Sequence, residues 1–130
     1  MKKVLEPKRV GKPAGVYSLG VVATGKKLIF LSGQVALDTQ GKLVGKGDIE
    51  TQTRQVLNNL KVLMEEAGGS MADIMKVTIY VTDMSQNTLE KTRRVRQEFF
   101  AENYPASTMV EVKSLVSPDW LIEIEAFAVV

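Results

Sequence analysis

The sequence predicts an α+β domain, with one mixed sheet and two helices packed on one of its faces. Three observations carry this. Residues 49–67 hold an apolar stripe at helical spacing. Residues 74–81 and 121–129 alternate apolar and polar side chains, as half-buried strands do. Only two helical segments accompany several strand segments, too few to cover both faces of a sheet.

Composition narrows the chemistry. The chain has 130 residues, about one domain's worth, and a chain of this size buries about two-thirds of the surface its unfolded form exposes. It has no cysteine. That excludes a disulfide framework, a thiolate nucleophile and the usual cysteine-ligated zinc and iron–sulfur sites. It has no histidine either, which excludes a Ser-His-Asp triad, a histidine metal ligand and a histidine general base. Proton chemistry therefore falls to carboxylates, tyrosine, lysine, backbone or water. Seventeen basic residues against fifteen acidic ones give +2, too balanced for the strongly basic face of a nucleic-acid partner. The residues around Lys2, Lys3 and Lys8 lack the apolar core of a secretory signal. No run reaches the ~18 apolar residues of a membrane span. The expected location is cytoplasmic, without a membrane partner.

The elements follow in order. Residues 1–14 are basic, contain Pro7, Gly11 and Pro13, and read as an irregular arm, leaving 15–130 as a single domain. Tyr17 to Thr24 and Leu28 to Ser32 flank Gly25-Lys26-Lys27, the pattern of a β-hairpin. A glycine-rich loop follows Gly33, with a short strand expected over 42–44. Asp48 suits the N-cap and the positive end of a helix. The stripe of that helix is Ile49, Val56, Leu57, Leu60, Leu63, Met64 and Ala67, and Gly68-Gly69 stops it. Residues 74–81 form a strand with Met75, Val77, Ile79 and Val81 on one face and Lys76, Thr78 and Tyr80 on the other. Asp83 and Ser85 supply turn and cap for a second helix ending near Phe100. Its stripe is weaker (Leu89, Val95, Phe99 and Phe100), and Arg93, Arg94 and Arg96 read as a solvated face.

Tyr104-Pro105 breaks that helix. Residues 107–112 alternate as a strand, with Met109 and Glu111 on one face. After a turn at Ser117-Pro118-Asp119, the last strand puts Ile122, Ile124, Ala126 and Ala128 on one face and Glu123, Glu125 and Phe127 on the other. The aliphatic faces belong under the helices. The remaining face gathers Tyr80, Met109 and Phe127 with Lys76, Glu111, Glu123 and Glu125. It is too apolar for free water and too charged for a dry core, and reads as the subunit interface of an oligomer.

Several motifs, in register, resemble the Rid (YjgF) family of reactive intermediate deaminases. Gly15-Val16-Tyr17-Ser18 resembles the G-P-Y-S run, and Phe30-Leu31-Ser32-Gly33-Gln34 the F-[VL]-S-G-Q strand. Gly47-Asp48-Ile49-Glu50-Thr51-Gln52-Thr53 and Val56-Leu57-Asn58-Asn59-Leu60 resemble the family's first helix. Pro105-Ala106, Val110-Glu111-Val112 and Ile122-Glu123-Ile124-Glu125-Ala126 resemble its late signatures. The resemblance implies a chorismate-mutase-like fold and a homotrimer with small-molecule clefts between subunits. It also implies cofactor-free, metal-free hydrolysis of small enamines or imines, such as 2-aminoacrylate and 2-iminopropanoate. An older association of the family with ribonuclease activity fits this chain's charge and missing histidine less well.

One departure stands out. Active deaminases carry P-A-R-[ST], whose arginine grips the substrate carboxylate as a bidentate fork. Here Pro105-Ala106-Ser107-Thr108 puts Ser107 at that position, and Val16 replaces the usual proline, so the chain resembles an arginine-less branch. The alternative to an enzyme is a small-molecule binding or sensing module on the same scaffold.

The resemblance gives Glu123 the role of holding the attacking water; the competing reading is an ion pair with Lys76 or Lys113. Tyr17 would wall the pocket, and Gly33 would allow close backbone approach. Ser107 and Thr108 would donate hydrogen bonds at the old arginine position, and Trp120 would close the cleft. Glu125 reads as structural.

Overall fold

The computed structural model describes residues 1–6, 8–9, 11–13 and 15–130. Its strands are β1 (Lys2–Val4), β2 (Val21–Ala23), β3 (Leu28–Gln34), β4 (Ile74–Val81), β5 (Ala106–Glu111) and β6 (Ile122–Val129). Its helices are α1 (Ile49–Glu66) and α2 (Gln86–Phe99), with a 3₁₀ turn at Met71–Asp73. Strands β3, β6, β4 and β5 lie in that order in one sheet. Only β4 and β5 are parallel, joined through α2, as a parallel pair requires a crossover. Both helices lie on one face, side by side.

The reason is burial. Val56, Leu57, Leu60 and Met64 of α1 meet Ile74, Val77, Ile79 and Val81 of β4 and Ile122, Ile124, Ala126 and Ala128 of β6. Each large aliphatic side chain removed from water in this way contributes about 1.5–3 kcal/mol. Asp48 caps α1 by accepting from Thr51 N at 3.2 Å and Thr51 Oγ1 at 2.7 Å. Gly68, at φ +85°, turns the chain out of the helix. Ser85 caps α2 by accepting from Thr88 N at 3.2 Å.

Three local expectations give way to long-range pairing. The segment read as an irregular arm contains β1, which pairs antiparallel with β2 in a separate two-stranded sheet; Pro7, Val10 and Ala14 lie outside the described residues. The hairpin around Gly25 does not form. β2 takes β1 as its partner, and β3 takes the eight-residue β6. Lys26 N and Lys27 N donate instead to Val130 O at 3.0 and 2.8 Å. The strand expected over 42–44 is a single bridge, Leu37 to Leu43. Asp38 Oδ1 accepts from Gln40 N and Lys42 N at 2.8 and 3.0 Å, bending the chain too tightly for a ladder.

A fourth expectation changes which side chains share a face. β5 is in register with β4 so that Met109 lies opposite Ile79, under the helices, and Val110 lies opposite Tyr80 on the open face. Met109 packs against the core. The open face thus carries Leu28, Phe30, Tyr80, Val110 and Phe127, of which Leu28 and Phe30 are 72% and 70% exposed. Phe30 and Phe127 meet edge to face at 5.4 Å.

One polar side chain in the core spans three segments. Gln52, fully buried in α1, donates to Gly45 O at 3.1 Å and Asp119 O at 3.0 Å, and accepts from Leu121 N at 2.9 Å. Gln52→Leu keeps the bulk and removes all three bonds. It should cost about 2–4 kcal/mol, since each backbone group loses a buried partner. The readout is a fall in the urea midpoint at unchanged slope. A cost below about 0.5 kcal/mol, the scale of an ordinary surface change, would show that the amide does not hold these loops.

Candidate functional site

β3 is irregular between Leu31 and Gln34, and there it passes closest to Glu123. A Cβ on Gly33 would stand 2.5 Å from Glu123 Oε2 and 2.7 Å from Cδ. Any other residue at 33 would push that carboxylate from this position. Glu123 is half-buried beside Tyr80 on the open face. Among the described residues no ion pair engages it. Lys76 Nζ donates elsewhere, to Thr108 Oγ1 at 2.8 Å and Val77 O at 3.0 Å, and Lys113 is exposed. The glutamate that sequence reasoning singled out is thus seated against backbone, with neither of the lysines that would have made it merely structural.

Glu125, two residues on, accepts from the Tyr80 hydroxyl at 3.0 Å. That bond, with burial added, holds the Tyr80 phenol above its ordinary range. Burial pushes the Lys76 ammonium down, and the Glu125 charge opposes the shift. The open face therefore carries a linked polar set of Lys76, Thr108, Tyr80 and Glu125 within an apolar surround.

Tyr17 and Ser107 lie in another part of the fold, near the start of β5. Ser18 bridges Ala106 in parallel, its N donates to Pro105 O at 3.0 Å, and its hydroxyl donates to Tyr104 O. This lays the segment around Tyr17 along the free edge of β5, with Val16 and Ser18 buried and Tyr17 half-buried between them. The Tyr17 ring lies beside Gly15 and lines a groove of about 800 Å³ with Leu5, Lys12 and Leu19. Ser107 is in register with Val77 and faces the helix layer, whereas Thr108 is in register with Thr78 on the open face. Adjacent strand residues point to opposite faces, so Ser107 and Thr108 do not act on one ligand atom together. Trp120 is half-buried in the turn before β6, its N donating to Ser117 O at 3.1 Å. That turn lies at the Val81 end of the sheet, away from Ser107.

The expected site residues thus form two groups in one chain. Gly33 and Glu123 sit at the β3–β6 pair on the open face; Tyr17 and Ser107 sit at the β5 edge, with β4 between β5 and β6. Neighbouring strands are about 4.8 Å apart, so the two groups stand apart within one copy of the chain.

Of the arginines of α2, Arg96 alone departs from the solvated face expected of them. Arg93 and Arg94 are exposed, and Arg94 pairs with Glu50 at 3.2 Å. Arg96 is buried, with 9% of its surface exposed. The signal was present in the spacing: the face that α2 buries is Thr88, Thr92, Val95 and Arg96, a run at helical period in which polar residues hold core positions. The same signal would have found Gln52 and Thr53 within the stripe of α1.

Known proteins share this fold and much of this sequence. The family model described as Endoribonuclease L-PSP matches residues 8–130. A RutC family protein of Pyrococcus horikoshii is 44% identical over 128 residues, covering 98% of each chain. Another RutC family protein, from Synechocystis, is 34% identical and covers 98% of this chain and 95% of its own. Among solved structures, a conserved Rid family protein of unknown function from Yersinia pestis superposes with a TM-score of 0.92 at 31% identity, covering 99% and 98% of the two chains. RidA from an Antarctic Psychrobacter superposes with a TM-score of 0.73 at 26% identity, covering 98% and 99%. Matches of this extent cover nearly every residue that builds the two groups, and the chain belongs to the Endoribonuclease L-PSP family, the Rid/YjgF group that its motifs resemble.

Proposed function

We propose that the protein is a cofactor-free hydrolytic deaminase of a small enamine or imine, acting in clefts between the copies of a homotrimer. The single observation that carries the reading is the seat of Glu123. Its carboxylate lies against Gly33 where any side chain would collide with it, and no lysine neutralises it within 4.0 Å among the described residues. A carboxylate in that state can act as general base.

In the reaction, Glu123 takes a proton from water as the oxygen attacks the imine carbon. That proton passes to the imine nitrogen, giving the carbinolamine. Glu123 then moves the hydroxyl proton to the amino nitrogen, the C–N bond breaks, and ammonia leaves as the carbon–oxygen double bond forms. An enamine first takes a proton on carbon and gives one up from nitrogen, which yields the imine. Tyr17 walls the cleft and Ser107 lines it from the neighbouring copy. Thr108 and Trp120, placed on another face and at another end, have supporting roles.

Ser107 in place of the family's arginine favours a second reading, a binding or sensing module without chemistry. One experiment decides. 2-Iminopropanoate is generated in situ by an amino-acid oxidase and trapped with semicarbazide. The protein should compete with the trap, and Glu123→Gln should lose about 100-fold or more of that activity, the range for a general base. Failure of the wild type to compete would leave the binding module. Gly33→Ala should lower activity by a similar factor with little change in melting temperature, because the new methyl displaces the mobile end of Glu123 rather than core. A Gly33→Ala variant of full activity would show that the carboxylate's position does not matter.

The assembly makes its own prediction. The exposed pair Phe30 and Phe127 would be covered by another copy, as apolar patches of this kind usually are. Sedimentation should give three times the 14.3 kDa chain mass, and Phe30→Glu should dissociate the particle and abolish activity. A stable wild-type monomer at micromolar concentration would end both the trimer and the shared cleft.

A further inference from the structure

Arg96 is a physical anomaly. It occupies the last turn of α2 with only 9% of its surface exposed. Its Nε is buried and has no hydrogen-bond partner. No carboxylate lies within 4.0 Å of its guanidinium among the described residues, where the ion pairs are Lys46–Asp119, Arg54–Glu98 and Arg94–Glu50. Burial pulls its pKa down, and Arg93, one turn earlier and of the same sign, adds to the shift. Arginines three apart on a helix stand side by side, and neither is compensated. The negative end of α2 offers partial charge but no acceptor for Nε. A buried cation without a partner costs several kcal/mol unless something of opposite charge fills the site. Buried polar groups left unpaired in this way call for a specific explanation.

Topology gives the place. β4 leads through α2 into β5, and β4 and β5 are parallel. α2 therefore runs antiparallel to both strands, beside α1, and its last turn lies toward the end of the sheet where β5 starts. Ser107 is the second residue of β5 and faces the helix layer. Arg96 and Ser107 thus belong to the same layer and the same end of the sheet. Serine there is short and uncharged.

We infer that Arg96 is a carboxylate receptor, supplying from α2 the cation that residue 107 lacks, and that the ligand is a small carboxylic acid. The planar guanidinium presents paired N–H donors matched to a carboxylate. Arg93, exposed beside it, adds attraction for an approaching anion. The inference rests on the deaminase reading only for the cleft in which the acid is turned over; the receptor itself follows from Arg96.

The test uses pyruvate, the acid that 2-iminopropanoate hydrolysis would yield, and its uncharged amide, pyruvamide. Binding is read by calorimetry and by melting temperature on the intact protein. Pyruvate should bind and raise the melting temperature, and pyruvamide should do neither. Arg96→Met, similar in length and apolar, should melt at or above the wild-type temperature without ligand, because an unpaired buried charge is gone. It should bind pyruvate at least about tenfold more weakly, the scale of a lost charge-assisted bond. Arg96→Lys, which keeps the charge without the fork, should fall between. Arg94→Gln, at the exposed arginine paired to Glu50 on the same helix, should bind pyruvate as the wild type does.

Several outcomes would overturn the inference. One is wild type indifferent to pyruvate. A second is Arg96→Met that still binds it. A third is Arg96→Met that melts well below wild type while Arg96→Lys restores stability but not binding, which marks a structural arginine. A fourth is Arg96→Met whose oligomer dissociates without loss of pyruvate affinity, which assigns the charge to contact between copies. Pyruvate binding that needs Arg96 in a protein with no imine hydrolysis would support the receptor and remove the deaminase. Hydrolysis of 2-iminopropanoate that survives Arg96→Met would do the reverse.

Discussion

The buried amide of Gln52 organises much of this domain. α1 packs on β6 because their apolar faces match, but packing alone leaves the polypeptide on either side of the sheet unanchored. Gln52 closes that gap by bonding to the glycine-rich loop at Gly45 and to both sides of the turn that leads into β6, at Asp119 and Leu121. Gly45 sits at φ +82°, with α1 so close that a Cβ would meet Thr51 at 2.8 Å. The loop can therefore approach the helix only as glycine, and its carbonyl then finds Gln52. This staple fixes where β6 begins, and the start of β6 fixes which of its residues fall on the open face. Glu123 inherits its position from that register.

A second constraint is the division of the sheet into a covered face and an open one. Two helices protect one side, where nearly all the large aliphatic side chains lie. The other side must contend with water or a partner. It holds Phe30 and Phe127 in edge-to-face contact beside Lys76, Tyr80, Glu123 and Glu125. Polar groups there are linked to one another, as they must be if the face becomes buried. Glu123 stands outside that linked set. The candidate site residues are accordingly divided: a carboxylate seat on the open face, and a tyrosine and serine at the β5 edge.

Arg96 sets stability against function in the same way. A folded chain without ligand gains nothing from a buried arginine whose Nε has no hydrogen-bond partner. Methionine or leucine would pack at that position at less cost. Sites that bind charged ligands commonly carry such local costs, and the contrast with Arg94, exposed and paired to Glu50 on the same helix, shows that the sequence could place an arginine comfortably there.

The sequence by itself determined the elements whose signals are periodic. α1, β4, α2 and β6 follow from side-chain spacing, and Asp48 and Ser85 follow from the chemistry of helix caps. The family motifs added Gly33 and Glu123, and the tertiary structure explains why those two go together: one lacks the Cβ that would strike the other. Weak local signals were decided by tertiary pairing. β2 had a turn after it and still paired with β1, and β3 passed over its sequence neighbour for β6, because a longer antiparallel partner buries more and satisfies more backbone. Met109 moved to the covered face because β5 takes its register from β4 and not from its own alternation. Arg96 shows the limit most clearly. Its residue type says solvent, its spacing after Thr88 and Thr92 says core, and only packing of the helix on the sheet decides between a charge that water stabilises and one that has been taken out of it.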